Sequence, residues 1–299
     1  MDYRRQEIYF GKQAQRTLQK RKVVIIGVGA LGTVAASLLA RSGVPLLLVD
    51  RDVVEKHNLQ RQIIFTAADV GKPKASIAAR YLRTIFPGIR VESKDLQLDK
   101  DSVSVCKNAD VVLDCTDNFF TRFVINDYCK QQGIPWVHGS ALEEQGYVLV
   151  VQPAQACFRC IFEHLQGAGT CATLGVLNTI TSAIASIQVS EALKLLLKRP
   201  VTAGLIHLNL KHFGCKVFPV QKRKNCKSCS GDYEYLERDM PVAHFCGSNK
   251  YQFAGTYSAA VQQRLRQQFP EWVVSPHRII IRARDKNEAL HLHSKYVGH

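Results

Sequence analysis

Two short cysteine hooks, Cys157-Phe-Arg-Cys160 and Cys226-Lys-Ser-Cys229, are the residues whose type and spacing speak most directly of chemistry. A Cys-x-x-Cys spacing lets both sulfurs of a hook face one ion, and two hooks supply the four thiolates of a tetrahedral zinc site. Four sulfurs leave no position for water, so the expected role of the metal is to staple the chain rather than to catalyse. Four unrelated thiols, or a disulfide framework, are the competing readings. The chain has ten cysteines, and its first segment, Met1 to Lys22, is polar and basic rather than an apolar signal. With ample length for a core, a reducing, cytoplasmic setting is expected.

A second group of residues suits phosphate. Gly27-Val-Gly-Ala-Leu-Gly32 lies between a strand pattern and a helix pattern, where backbone amides and a helix N-terminus can approach an anion. Gly27, Gly29, Ala30 and Gly32 are therefore candidate nucleotide contacts. Asp50 closes the next strand about 20 residues on, placed for the two ribose hydroxyls of an adenosine. A dehydrogenase would look the same here. The following segments, Asn58-Leu-Gln-Arg61-Gln62 and Gly71-Lys-Pro-Lys74, put two cations and two amides where a nicotinamide ring would need an apolar slot. Those groups suit a triphosphate.

The elements that must position these residues read as a doubly wound α/β domain with a Rossmann-like, mainly parallel sheet. Val23 to Gly27, Leu46 to Asp50, Ile89 to Ser93, Val111 to Cys115 and Trp136 to Gly139 are the expected strands, short β-branched runs alternating with helical patterns. Leu31 to Arg41, Lys74 to Ile85 and Phe120 to Gln131 carry apolar residues at helical spacing. After Gly139 the pattern changes. Tyr147 to Gln152, Leu205 to Leu210 and Lys216 to Val220 read as added antiparallel strands, separated by a long apolar helix from about Val176 to Leu197. The chain of 299 residues is 46% hydrophobic, yet no run approaches a membrane-spanning length. Its formal charge of +15 is spread along the sequence without interleaved aromatics, which favours an anionic small molecule or protein over nucleic acid.

Gly27-x-Gly-x-x-Gly32, Asp50-x-Asp52, Asn58-Leu-x-Arg61-Gln62, Gly71-x-x-Lys74, Asp114-Cys-Thr-Asp117-Asn118 and the paired hooks occur in one order. That series resembles the ThiF/MoeB family of ubiquitin-activating-like adenylyltransferases, from about Arg5 to Gly231. The resemblance implies adenylation, with ATP and Mg2+, of the C-terminal Gly-Gly carboxylate of a ubiquitin-like or sulfur-carrier protein, releasing pyrophosphate. It implies a ribose contact for Asp50, triphosphate contacts for Asn58, Arg61 and Lys74, and a magnesium ligand in Asp117. Cations and a metal make chemical sense where a carboxylate attacks a phosphorus. Asp117-Asn118 also reads as a helix cap, and both roles are compatible.

The resemblance further implies a homodimer in which Arg5, directly before Gln6, reaches the nucleotide of the partner subunit. Cys171, at the start of the long apolar helix, matches the cysteine that relatives use for a thioester or persulfide. Ala30 departs from a position where many relatives carry glycine. Cys106, Cys115, Cys129, Cys215 and Cys246 read as core or surface fillers. The expected organisation is an adenylation domain over 1–231, with its nucleotide-binding half at about 1–140 and its zinc and carrier half at about 141–231. A small α/β extension follows over 232–299, with His244 to Asn249 and Arg278 to Gly298 suggesting a strand and a closing helix. His291, His293 and His299 belong there to a solvated face. An NAD-dependent oxidoreductase, a tRNA-modifying dehydratase relative and a non-catalytic nucleotide-binding scaffold are the alternatives; hydride transfer, tRNA-stimulated ATP use and absence of turnover would mark them respectively.

Overall fold

The computed structural model describes residues 2–163, 175–238, 243–244, 249–254, 257–275 and 278–297. Cys171, Cys246 and His299 lie outside them. The described residues form two compact units, one of 2–163 with 175–238 and one within 243–297.

In the first unit, α1 (Arg4–Phe10) and α2 (Lys12–Leu18) precede β1 (Val23–Ile26), α3 (Ala30–Arg41), β2 (Leu46–Asp50), α4 (Lys74–Ile85) and β3 (Val91–Asp95). Then come β4 (Val111–Asp114), α5 (Phe119–Gln132), β5 (Trp136–Leu142), β6 (Gln145–Val151), α6 (Phe158–Phe162), α7 (Asn178–Leu196), β7 (Leu205–Asn209), β8 (Gly214–Phe218) and α8 (Lys227–Ser230). The eight strands make one sheet in the order β3-β2-β1-β4-β5-β6-β7-β8. Strands β1 to β5 pair in parallel, and β6 to β8 extend the sheet antiparallel.

Alternation along β1 explains the layering. Val23 and Ile25 pack into a core with residues of α3, α4 and α7, while Val24 and Ile26 pack on the other side with residues of α5 and α6. A strand apolar on both faces needs cover on both, which is why β1 reads as an unbroken apolar run. The strand order reverses between β1 and β4, so the crevice at their carboxyl ends is the topological switch point. Helix α5 enters this crevice with Asn118 as N-cap, whose Oδ1 accepts from Thr121 N–H at 2.8 Å, and it closes at Gly133 in the left-handed region.

Two strands shift from their expected positions. The third begins at Val91 rather than Ile89, because the Phe86-Pro-Gly-Ile turn, with Gly88 at a φ of 93°, occupies the residues before it. The last runs over Gly214–Phe218 rather than Lys216 to Val220, in register with β7.

The second unit contains β9 (Ala243–His244), β10 (Lys250–Ala254), α9 (Ala259–Gln268), β11 (Val273–Ser275), β12 (Arg278–Arg282) and α10 (Lys286–Tyr296). Its antiparallel sheet has the order β11-β12-β10-β9, with Tyr251, Phe253, Ile279 and Ile281 in a core with Leu265 and Ala289. The expectation of a strand and a closing helix undercounts it, since α9 has few apolar residues to mark it, with Leu265 the buried one. His293 is also not on a solvated face. Its ring stacks on Phe253 at 4.1 Å and its Nε2 lies 3.2 Å from the Tyr257 hydroxyl, whereas His291 is exposed. Among the described residues no helix is long and apolar enough to cross a membrane.

Candidate functional site

The glycine-rich turn leaves β1 with Gly27 at a φ of 88°, a conformation that disfavours side chains. A Cβ on Gly27 would lie 2.6 Å from the Cys115 carbonyl oxygen, and one on Gly32 would lie 1.9 Å from that of Gly27. Both glycines are therefore required by the close packing of strand, turn and helix. Gly29 differs. The nearest atom to a Cβ there is Gln62 Nε2 at 3.9 Å, so its face of the turn stands open. Ala30 begins α3 without disturbing the turn.

Gln62 is buried beside this opening, and its Oε1 has no hydrogen-bond partner among the described residues. Buried polar atoms are almost always paired, so an orphaned acceptor next to a bare glycine marks room for a polar ligand. Asp50 ends β2 half-buried, with Oδ2 accepting from Val28 N–H at 2.5 Å and Oδ1 from Asp52 N–H at 2.7 Å. Burial pushes its carboxyl above the usual range, against the pull of Lys74.

Residues 52–54 run antiparallel to 71–74, with Lys74 N–H donating to Asp52 O at 2.9 Å and Val54 N–H to Lys72 O at 2.8 Å. This clasp swings the first residue of α4 back toward β2. The buried Lys74 Nζ thus lies 3.2 Å from Asp52 Oδ2. Burial works against its charge, but the carboxylates of Asp52, Asp50 and Asp117 together raise its pKa above the ordinary lysine value. The structure brings Asp50, Lys74 and Asp117 into one electrostatic cluster, with Asp117 exposed at the mouth.

Asn58 and Arg61 have local partners. Asn58 is buried, and its Oδ1 accepts from Glu55 N–H at 2.9 Å in a capping box of the Lys56–Asn58 turn. Arg61 donates to His57 O at 3.1 Å. Arg5 is exposed on α1 and makes no hydrogen bond or ion pair with the cluster.

Behind the mouth lies a network that sequence reasoning missed. Asp114 and His138 are both buried and meet at 2.7 Å, and Gln188 of α7 donates to the carbonyls of Asp114 and Val137, each at 2.8 Å. Burial opposes the Asp114 charge, yet hydrogen bonding to His138 and the nearby Arg122 keep its carboxyl below the usual range. The only available signal was Asp114 itself, inside the Asp-Cys-Thr-Asp motif.

The two hooks converge. All four sulfurs lie within 4.8 Å of one another, with Cys157–Cys226 at 3.5 Å, Cys160–Cys229 at 3.6 Å and Cys157–Cys160 at 3.8 Å. A tetrahedron of sulfurs about 2.3 Å from zinc has edges of about 3.8 Å, so the donor set fits that ion, while a disulfide needs about 2.05 Å. Cys157 and Cys226 are the N-caps of α6 and α8, which turns each hook inward. Two adjacent residues of α5 hold them. Asn126 Oδ1 accepts from Phe158 N–H at 3.0 Å, and the buried Asp127 accepts from the Ser228 hydroxyl and from Tyr235 N–H at 3.1 Å. Helix α5 thus has the Asp117 mouth at one end and the cysteine site on its flank.

Fold and site define a doubly wound α/β domain in which four cysteines are gathered at one point beside α5. Residues 3–230 match the ThiF family, and the chain belongs to it. It is 38% identical to the SAMP-activating enzyme E1 of Haloferax volcanii, over 79% of this chain and 90% of that protein. It is 33% identical to the sulfur carrier protein ThiS adenylyltransferase of Bacillus subtilis, over 96% of this chain and 91% of that protein. Among solved structures, E. coli MccB crystallised with MccA-N7isoASN superposes with a TM-score of 0.69 at 20% identity, over 76% of this chain and 74% of that one. At that identity the likeness speaks for the fold.

Proposed function

We propose that this chain uses ATP to adenylate the C-terminal Gly-Gly carboxylate of a small ubiquitin-like or sulfur-carrier protein, releasing pyrophosphate. The observation that carries the reading is the cluster at the β1/β4 switch point, where an open Gly29, an orphaned Gln62 acceptor and a buried Lys74 cation meet the Asp50 and Asp117 carboxylates. Relatives of the same length class are adenylyltransferases or activating enzymes by name. The turn from Gly27 to Gly32 and the N-terminus of α3 face the phosphates, and Asp50, held by two amides, takes the ribose hydroxyls.

Lys74 is worth more here than on a surface. Buried and held charged by its carboxylates, it meets the triphosphate in a medium that screens poorly. Arg61, Gln62 and Asn58 complete that side, though Asn58 must share its amide with the turn it caps. Asp117, exposed at the start of α5, offers the hard oxygen that magnesium takes, and magnesium bound there would offset the charge that builds as carboxylate approaches phosphate. The four cysteines hold zinc. Arg5 completes the site of a second copy in a homodimer, and the Cys171 thiol takes up the activated carrier as a thioester with AMP leaving from the acyl carbon, or, once a sulfane-sulfur donor has converted it to a persulfide, attacks the same carbon through its outer sulfur with the same loss of AMP.

Mass spectrometry tests the reading. The chain is incubated with ATP, magnesium and small carriers ending in Gly-Gly, alongside the same carriers lacking the final glycine. An AMP adduct is expected on the full-length carriers only. ATP turnover stimulated by tRNA, with no adduct on any carrier, would contradict it.

A further inference from the structure

We propose that Ser140, His138 and Asp114 form an activated serine that accepts the acyl group of an acyl-adenylate and hydrolyses it; the identity of that acyl donor rests on the adenylation reading above. The parallel register sets Asp114, the last residue of β4, opposite His138 of β5. Alternation then puts His138 and Ser140 on one face of β5. His138 Nδ1 lies 2.7 Å from Asp114 Oδ2, and its Nε2 lies 3.1 Å from Ser140 Oγ. The other Asp114 oxygen accepts from Thr116 N–H at 3.0 Å and from its hydroxyl at 2.6 Å, and Arg122 Nε stands 3.7 Å from Oδ2.

Each group therefore has one task. The carboxylate fixes the tautomer with hydrogen on Nδ1, which leaves the Nε2 lone pair for the serine hydroxyl. Rings of Phe158 and Phe162, with centroids 4.9 and 5.8 Å away, wall in the imidazole, and its burial keeps it neutral. Ser140 itself is half-buried, at the same carboxyl edge of the sheet as Asp117. In the first step Ser140 Oγ bonds to the acyl carbon, the bond from that carbon to the AMP oxygen breaks, and the hydroxyl proton passes to Nε2. AMP leaves as an anion, and the imidazolium gives its proton to solvent. Water then attacks the ester and loses one proton to Nε2, the bond from the acyl carbon to Oγ breaks as that proton returns to Oγ, and the carrier leaves as a carboxylic acid that gives its remaining proton to solvent. The sum is acyl-adenylate plus water giving carboxylate plus AMP, a release for adenylates that meet no sulfur acceptor.

The first test needs neither ATP nor carrier. The whole chain is treated with a fluorophosphonate probe and the modified peptide sequenced by mass spectrometry. Label on Ser140 is expected, with the rate falling about 100-fold in His138→Gln, the scale of general-base help. Asp117→Ala, which blocks adenylation, should still label. No label on Ser140 of the native chain, or an undiminished rate in His138→Gln, would overturn the proposal whatever the chain adenylates. The second test follows AMP from ATP and carrier without a sulfur source. A several-fold slower release in folded Ser140→Ala supports the acyl-adenylate as donor; equal release, with adenylate forming in both, would overturn that assignment and leave adenylation standing.

Discussion

Replacing Asp127 by alanine should loosen the cysteine site from a distance, because this carboxylate ties the second hook to α5. It is buried, accepts from the Ser228 hydroxyl, from Tyr235 N–H at 3.1 Å and from Asn126 Nδ2 at 3.1 Å, and Ser228 sits between the two cysteines of its hook. Alanine strands the Tyr235 amide, which cannot turn to another acceptor, at about 1–3 kcal/mol, and removes two further bonds to a charged group. Part of this is returned, since burial has already pushed the Asp127 carboxyl above its usual range. A net loss of about 3 kcal/mol is expected. Asparagine can keep its oxygen toward the Tyr235 amide while the Ser228 hydroxyl rotates to accept, at the loss of the Asn126 bond, so Asp127→Asn should lose about 1–2 kcal/mol. Urea unfolding of the zinc-loaded proteins measures the first quantity. Zinc release to a chromophoric chelator measures the second, and should run about 100-fold faster in Asp127→Ala if opening limits release. Alanine and asparagine variants that match the native chain in both assays would refute the reasoning.

Two neighbouring glycines should separate fold from ligand. Gly32→Ala forces a Cβ against the Gly27 carbonyl oxygen at 1.9 Å and should cost about 3 kcal/mol or more by thermal unfolding, whereas Gly29→Ala meets nothing closer than 3.9 Å and should change stability by under about 1 kcal/mol while weakening ATP about tenfold by calorimetry. Equal stability losses would deny the open cradle. The proposal that two copies share each site is tested by mixing. Arg5→Ala and Asp117→Ala dimers should each be nearly inactive, yet after subunit exchange half the dimers are hybrids with one intact site, returning about a quarter of native activity. No recovery in exchanged hybrids would place Arg5 in its own chain.

The inner parallel strands were legible because β1, β2 and β4 are apolar on both faces and helices such as α4 keep their spacing, whereas the polar edge strand β3 starts two residues later than expected. The cysteine site was legible for a different reason: ligand spacing is a local property, and the hooks carry it. What could not be read was whatever depends on pairing across the fold. Asn126 and Asp127 look in sequence like solvent-facing positions of a helix, and only the packing of α6 and α8 against α5 turns them inward. Gln188 sits in an apolar helix with nothing local to show that it donates to carbonyls of two adjacent strands. The second unit was read thinly because α9 has few apolar residues, with Leu265 the buried one.

Carrier-dependent exchange of labelled pyrophosphate into ATP tests the central claim most directly, because it reports reversible adenylate formation and ignores every later step. The native chain should exchange only when a small protein ending in Gly-Gly is present, and folded Asp117→Ala, lacking the carboxylate at the mouth of the Lys74 cluster, should lose the activity by about 100-fold or more. Exchange of native strength in Asp117→Ala, or exchange that proceeds without any carrier, would contradict the account.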